Sequence, residues 1–257
     1  MVMELAKHSW KQVEAFMQTC DTALVLTGAT ENHGTHLALG CDSFIPEKIL
    51  ELIGDRVNAL STPCMPFGVS DHHDGFCGTL NIGYDAFYQT MKKVFEKLYR
   101  MGIRRFIVLN GHGGNNAALA RLGIEFYNRG AVTAIVEWWD LAGQMKAEWA
   151  GGHAAGQETS ALLAVDESLV FPEEMEDQEL IPVHPDMPAY NLGQVMFEGC
   201  HIFFPRDVKS HYPAGWSGAD LPKTASKQWG EDMLQAVADY VVDLTKAMSE
   251  IQLADRT

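Results

Sequence analysis

Three nearly unbroken apolar runs, separated by helical sequence, constrain this chain more than any other feature. Ala23-Leu24-Val25-Leu26, Phe106-Ile107-Val108-Leu109 and Ala131-Val132-Thr133-Ala134-Ile135-Val136 lack the polar alternation of a strand with one wet face. Each therefore reads as a strand covered on both sides in a parallel sheet. Between the first two, Phe87, Met91, Val94, Phe95 and Leu98 share one helical face, and Gly102 stands where a C-terminal cap belongs. A second helix is expected from about Asn116 to about Gly130. Strand and helix in alternation imply a three-layer α/β/α fold with a mainly parallel sheet. The 257 residues, 47% of them hydrophobic, suit a single domain over residues 1–257. A last helix is expected from about Lys223 to Leu253, with Trp229, Met233, Val237, Tyr240, Leu244 and Met248 as a stripe for the core or a subunit contact. Residues 172–215, rich in Pro, Glu and aromatics, read as irregular loops.

Charge and composition narrow the partners. The formal net charge is -15 and no basic stretch offsets it, so the field of the molecule repels phosphate backbones and anionic lipid. No nucleic acid and no membrane partner is expected. No run approaches the roughly 20 apolar residues of a membrane span, and the first residues lack a basic segment followed by an apolar one, so a cytoplasmic location is expected. Cys20, Cys41, Cys64, Cys77 and Cys200 are odd in number and show no CxxC spacing. They are expected to be reduced thiols, mostly buried.

The polar residues that could do chemistry follow the apolar runs, and the crevice outside the carboxyl ends of a parallel sheet is where ligands bind. Glu31-Asn32-His33-Gly34-Thr35-His36, with Asp42 shortly after, comes directly behind the first run. Glu31 and His33 are two apart and point to one side of an extended backbone, while Asp42 can return with two oxygens. Any one of them alone would be read as a helix cap; three together read as a metal-ligand set. Asn110-Gly111-His112-Gly113-Gly114-Asn115 follows the second run. Its glycines could cradle a phosphate, but GxxxxGK[ST] is absent and the distinctive side chain is an imidazole, so metal ligation is the better reading. In the third cluster, His153-Ala154-Ala155-Gly156-Gln157-Glu158-Thr159-Ser160, Glu158 falls near a helix start, where the dipole favours a carboxylate, and His153 can reach the same cleft.

In this order the three clusters resemble the creatininase family of metal-dependent amidohydrolases. That family carries a G-S-x-E-x-H-G-x-H-L-P-x-x-x-D segment, and this chain has Gly28-Ala29-Thr30-Glu31-Asn32-His33-Gly34-Thr35-His36-Leu37-Ala38-Leu39-Gly40-Cys41-Asp42. Ser70 to Thr79 looks like the family segment that ends in P-G-T, with Cys77 in place of proline. The NGHGGN loop and the HAGxxETS segment complete the likeness, which covers most of the chain.

The resemblance implies two divalent ions per chain, Zn2+, Mn2+ or Fe2+. Glu31 and His112 would hold one, His33 the other, Asp42 would bridge them, and Glu158 is the candidate for the remaining carboxylate ligand. Creatininase itself has a glutamate two residues after the histidine that matches His112, where this chain has Gly114; family members with glycine there include formamide deformylases and a peptide-trimming enzyme. The implied reaction is hydrolysis of a C–N amide bond in a small polar metabolite, a cyclic amide, formamide or short amide, by a hydroxide bridging the two ions. His153 is assigned the proton for the leaving nitrogen. Ser70, Trp149, Gly113 and Gly114 are expected to line the substrate pocket, with Trp138 and Trp139 as weaker candidates. His36, His72 and His73 fall in the motifs and are read as hydrogen-bonding the ligands or packing subunits, and His8, His184, His201 and His211 as surface or structural residues. A homo-oligomer is expected, the family's hexamer in particular. Two other readings compete: a two-metal phosphoesterase, disfavoured by the few basic residues near the motifs, and a binding protein that kept the fold without turnover.

Overall fold

A computed structural model describes residues 1–253 of the chain. Strands β1 (Val2–Glu4), β2 (Thr22–Thr27), β3 (Ala59–Ser61), β4 (Arg105–Asn110) and β5 (Val132–Glu137) form one sheet in the order β1-β3-β2-β4-β5. Every pairing in it is parallel. The helices are α1 (Trp10–Phe16), α2 (Cys41–Ile53), α3 (Gly83–Arg100), α4 (Asn116–Tyr127), α5 (Trp138–Met145), α6 (Gly156–Val165) and α7 (Lys227–Ser249). None among the described residues is long and apolar enough to cross a membrane.

Alternate residues of the central strands serve opposite layers. Ala23, Val25, Phe106 and Val108 pack with Phe87 and Phe95 of α3 and Leu119 and Leu122 of α4. Leu24, Leu26, Ile107 and Leu109 pack instead with Ile45 and Ile49 of α2 and Met233 and Val237 of α7. The result is the expected α/β/α arrangement, each large apolar side chain so buried contributing about 1.5–3 kcal/mol. Phe95 stacks on Phe106 with ring centroids 4.5 Å apart, and Phe126 closes on both at 5.4 and 5.7 Å. α3 ends as its sequence implies: Gly102 takes φ +111°, and the Ile103 N–H returns to the Leu98 carbonyl at 3.1 Å.

Four expectations are corrected. β2 and β4 are buried along their whole length, but β5 is the edge of the sheet and only half covered, because no strand lies beyond it. α7 starts four residues later than about Lys223: Pro222 opens a separate 3-10 turn, and Ser226 caps the helix by accepting from Trp229 N. Its buried stripe runs through Met233, Leu234, Val237, Ala238, Val241 and Val242, while Tyr240 faces outward. Residues 172–215 are not all irregular, since β6 (Gln194–Phe197) and β7 (Cys200–Phe203) form an antiparallel hairpin. Its two-residue turn, Glu198-Gly199, has φ of 46° and 78°, the left-handed pair that matches strand twist. Finally, all five cysteines are free, yet only Cys20 and Cys41 are buried, while Cys77 and Cys200 are exposed.

The strand order places the crevice. From β2 the chain crosses to β3 on one side, and from β4 it crosses to β5 on the other, so the connections diverge between these two central neighbours. Their last residues pair directly, Thr27 opposite Asn110, and the Thr27 hydroxyl donates to Asn110 Oδ1 at 2.9 Å.

Candidate active site

The loops leaving β2 and β4 meet at that divergence. After β2, the backbone is pinned by Glu31 N–H to the Leu39 carbonyl at 3.0 Å, Asn32 N–H to Thr79 Oγ1 at 3.1 Å and Leu80 N–H to the Thr30 carbonyl at 2.8 Å. Glu31 and His33 consequently turn inward and are 1% and 0% exposed. The chain then enters α2, whose first turn carries Asp42. Pro46 lacks the N–H that would reach the Asp42 carbonyl, and Gly111 packs against that carbonyl instead. A β-carbon at 111 would overlap the Asp42 oxygen and lie 2.9 Å from Pro46 Cγ, so glycine is what lets the helix start against the end of β4.

Three imidazoles share one design. His33 Nδ1 lies 3.2 Å from the Glu31 carbonyl, His112 Nε2 lies 2.8 Å from the Val69 carbonyl, and His153 Nε2 lies 2.8 Å from the Asn32 carbonyl. A carbonyl only accepts, so each of these nitrogens donates and fixes its ring. The other nitrogen of each ring faces carboxylates. His33 Nε2 is 2.9 Å from Asp42 Oδ1 and 3.6 Å from Glu158 Oε2. His112 Nδ1 is 3.2 Å from both Glu31 Oε1 and Asp42 Oδ2. His153 Nδ1 stands farther off, 3.9 Å from Glu31 Oε1 and 4.0 Å from Glu158 Oε2. Glu158 reaches in from the first turn of α6, with Oε2 accepting from Ala154 N at 2.6 Å. Ala154, between His153 and that helix, holds φ at +51°, a strained value for a residue with a β-carbon.

Burial and crowding set the protonation states. Burial pushes the Glu31 carboxyl up, but His112, His73 and His153 around it prevail and hold it well below the usual carboxylate range. Burial disfavours charge on His33 and His112 too; the carboxylates Asp42 and Glu31 respectively outweigh it and hold both imidazoles well above their ordinary value. Burial lowers His153 well below it, aided by His73 and His33. Glu158 is pushed up by burial to about 7, and the buried Cys41 thiol to about 12. Without a cation, then, protons on His33 and His112 balance the cluster.

The donor set also fits divalent cations. Glu31 Oε2 and Asp42 Oδ2 are buried without a hydrogen bond, a costly state for carboxylate oxygens. Ligand atoms of Glu31, Asp42 and His112 lie within 4.8 Å of one another, as do those of His33, Cys41 and Glu158 and those of Glu31, His33 and His153. Asp42 offers Oδ2 to the first group and Oδ1, through His33, to the second.

Above the cluster opens a cleft of about 830 Å³, lined by Glu31, Asp42, His112, His153, Glu158, Gly113, Gly114 and Trp139 among others. Ser70 and Trp149 are not among its lining residues. Ser70 is wholly buried, with Oγ 3.4 Å from His112 Nε2. Trp149 is buried under the Lys146 ammonium, and its carbonyl accepts from Gln157. Trp139, rather than Trp138 or Trp149, supplies the indole wall. His36 is turned away to Thr159 Oγ1 at 3.0 Å, and burial lowers it to about 4. His73 does join the cluster, 3.8 Å from Glu31 Oε1 and packed against His153 with centroids 4.4 Å apart and the rings tilted by 32°. His8 and His211 bond backbone carbonyls away from the cleft, and His184 and His201 are exposed.

Several residues at the site were not singled out from sequence. Asn110 and Asn115 tie the two loops together: Asn110 Nδ2 donates to the His112 carbonyl at 2.7 Å, and Asn115 bridges Val69 N and the Gly28 carbonyl. Their place in the NGHGGN loop was the available signal. Phe203, 74% exposed, and Arg206 reach the cleft mouth from the β6–β7 hairpin and the segment after it, where no local signal marks them.

The sequence model described as creatinine amidohydrolase, or creatininase, matches residues 6–245. The chain belongs to the creatininase family. It is 26% identical over 262 residues to the creatinine amidohydrolase of Pseudomonas putida, a match covering 91% of this chain and 93% of that protein. It is 29% identical over 188 residues to the mycofactocin precursor peptide peptidase of Mycobacterium ulcerans, covering 69% and 71%. A solved creatininase structure superposes with a TM-score of 0.77 at 23% identity, covering 97% of this chain and 99% of that one. Family relatives are thus hydrolases by name, and one of them is a peptidase, so membership does not restrict the bond to a non-peptide amide. Position 114 has no room for a side chain. A β-carbon at Gly114 would collide with the Val69 carbonyl and come within 2.5 Å of His112 Nε2.

Proposed function

We propose that this creatininase-family protein is a metal-dependent amidohydrolase that opens a C–N amide bond in a small polar substrate. The observation that carries the reading is the disposition of Asp42, with Oδ2 against His112 and Oδ1 against His33, between two groups of buried donors. Glu31, Asp42 and His112 would hold one divalent cation, and His33, Asp42 and Glu158 a second. Zinc, manganese or iron suits this mixture of imidazole and carboxylate. Two such cations supply an acidified water and a polarised carbonyl.

The chain's own side chains do the rest. The carbonyls of Glu31 and Val69 hold the His33 and His112 rings in place before any ligand arrives. His153 is neutral, fixed by the Asn32 carbonyl, and presents Nδ1 at the cleft wall, where it can take a proton and return it to the leaving nitrogen. Trp139 and Phe203 offer apolar walls for an uncharged portion of the substrate. Arg206 is the lone lysine or arginine lining the cleft among the described residues, and its guanidinium is engaged with the carbonyls of Phe204, Asn191 and Gln194. That leaves little to bind a phosphate and favours an amide over a phosphoester.

The test is a screen of cation-reconstituted protein against small amides, formamides, lactams and short peptides, with phosphate monoesters and diesters as controls. Turnover confined to amides supports the reading. Turnover confined to phosphate esters overturns it.

A further inference from the structure

Beneath the groups that line the cleft lies a donor that the ligand set above does not use. Cys41 is fully buried at the start of α2, next to Asp42 in sequence. Its sulfur, one nitrogen of His33 and one oxygen of Glu158 fall within 4.8 Å of one another. Cys20, the other buried cysteine, points its thiol at the carbonyls of Thr22 and Asn58, at 3.3 and 3.7 Å. The Cys41 sulfur instead lies within 4.8 Å of a ring nitrogen of His33. The two groups also differ in depth: Glu31, Asp42 and His112 all border the cleft, whereas of the second group only Glu158 does and neither His33 nor Cys41 reaches it.

The geometry points to Cys41 as a fourth protein ligand of the deeper cation subsite, beside His33, Asp42 and Glu158. This rests on the two-cation reading above and extends it. On coordination the thiol gives its proton to solvent and the sulfur binds as thiolate, so metal uptake releases one proton more than the imidazole and carboxylate donors alone would. The consequence is an asymmetric pair. The cleft-facing subsite has three hard or borderline donors and keeps room for substrate, while the deeper one is closed by four, one of them a soft sulfur that favours zinc or cobalt over manganese.

Cobalt(II) reports sulfur ligation directly, because a thiolate bonded to it gives an intense near-ultraviolet charge-transfer absorption that oxygen and nitrogen donors do not. The full-length protein, stripped of cations and loaded with two Co2+ per chain, should show that band. The Cys77→Ser/Cys200→Ser protein, which lacks the two exposed thiols but keeps Cys41, should show it equally. Cys41→Ser should lose it, and its preference for Zn2+ over Mn2+ at one of the two sites should fall roughly 10- to 100-fold, as for other losses at a metal's surroundings. If the protein binds two cobalt ions without the band, or Cys41→Ser retains it, the sulfur ligand is wrong and the two-cation reading stands. If no cobalt binds at all, both fail. Should Cys41→Ser not fold, the band in the Cys77→Ser/Cys200→Ser protein decides the question alone, since Cys20 and Cys64 lie outside the cluster of ligand atoms.

Discussion

The carbonyl of Val69 occupies the space that a side chain at Gly114 would need, and it is held there by the hydrogen bond it accepts from His112 Nε2 at 2.8 Å. One contact therefore does two things. It orients the His112 ring so that Nδ1 faces Glu31 and Asp42, and it closes position 114 to any side chain. A glutamate placed there should not add a metal ligand. Gly114→Glu and Gly114→Ala should both lose stability, by about 1–3 kcal/mol, since either forces the Val69 backbone to move. Thermal unfolding and a metal count on the two variants check this: a stable Gly114→Glu protein that binds an extra equivalent of cation would refute it.

The central place of Asp42 sets a second expectation. Asp42→Ala removes an oxygen from both groups of donors and should leave the protein unable to retain either cation through gel filtration. Glu158→Gln or His112→Ala should lose one and keep the other. Elemental analysis of the three variants distinguishes a shared ligand from two independent sites, for which Asp42→Ala would keep one ion.

His153 is predicted to fail differently from the ligands. It stands 3.9–4.0 Å from the carboxylates, farther than His33 or His112 from theirs, and is held by the Asn32 carbonyl. His153→Ala should keep both cations and lose roughly 10²- to 10⁴-fold in kcat, as removal of a proton-transfer group does. The loss should shrink for amides whose leaving nitrogen is weakly basic. An equal loss for good and poor leaving groups would mean that the ring positions substrate, and release of a cation would make it a ligand.

Stability of the cation-free protein should peak near pH 6.5. His33 and His112 have raised values in the fold, so their pairing stabilises fully below about 6.5 and is lost as pH rises through the folded values. Glu158, raised to about 7, acts in the same sense, losing its contribution as pH rises from about 4.5 to 7. Below 6.5 four other histidines dominate: His36 and His73, each lowered to about 4 chiefly by burial, and His153 and His72, lowered chiefly by burial as well, take up protons more readily in the unfolded chain. Each proton of difference changes stability by up to about 1.4 kcal/mol per pH unit. Cations bound there would take the place of the protons on His33 and His112, so loading should abolish the decline above 6.5. Denaturant midpoints measured across pH, with chelator and with added cation, test this, and a cation-free protein whose stability climbs steadily to pH 8 would contradict it.

What the sequence disclosed was local. β2 and β4 were legible because a strand covered on both faces needs an unbroken apolar run, and the donors that follow them sit within a few residues of the strand ends. Glu31, His33 and His112 could therefore be placed at one edge of the sheet from their spacing alone. The edge position of β5 was not legible, since Ala131 to Val136 is as apolar as a central strand and only the absence of a neighbour leaves it half covered. The β6–β7 hairpin escaped because its turn is Glu198-Gly199 rather than Asn-Gly, and its strands are four residues each. Trp139, Arg206 and Phe203 reach the cleft through contacts distant in sequence. Cys41 lay inside the motif, but a thiol amid apolar neighbours reads as core until its distance to His33 and Glu158 is known.

Amide hydrolysis by this chain should depend on two divalent cations held around Asp42. The most direct measurement is a titration of the cation-free protein with Mn2+ or Zn2+ while following hydrolysis of its best amide substrate. The rate should climb until two cations are bound per chain and then level off. Full activity with one cation, or with none, would contradict it.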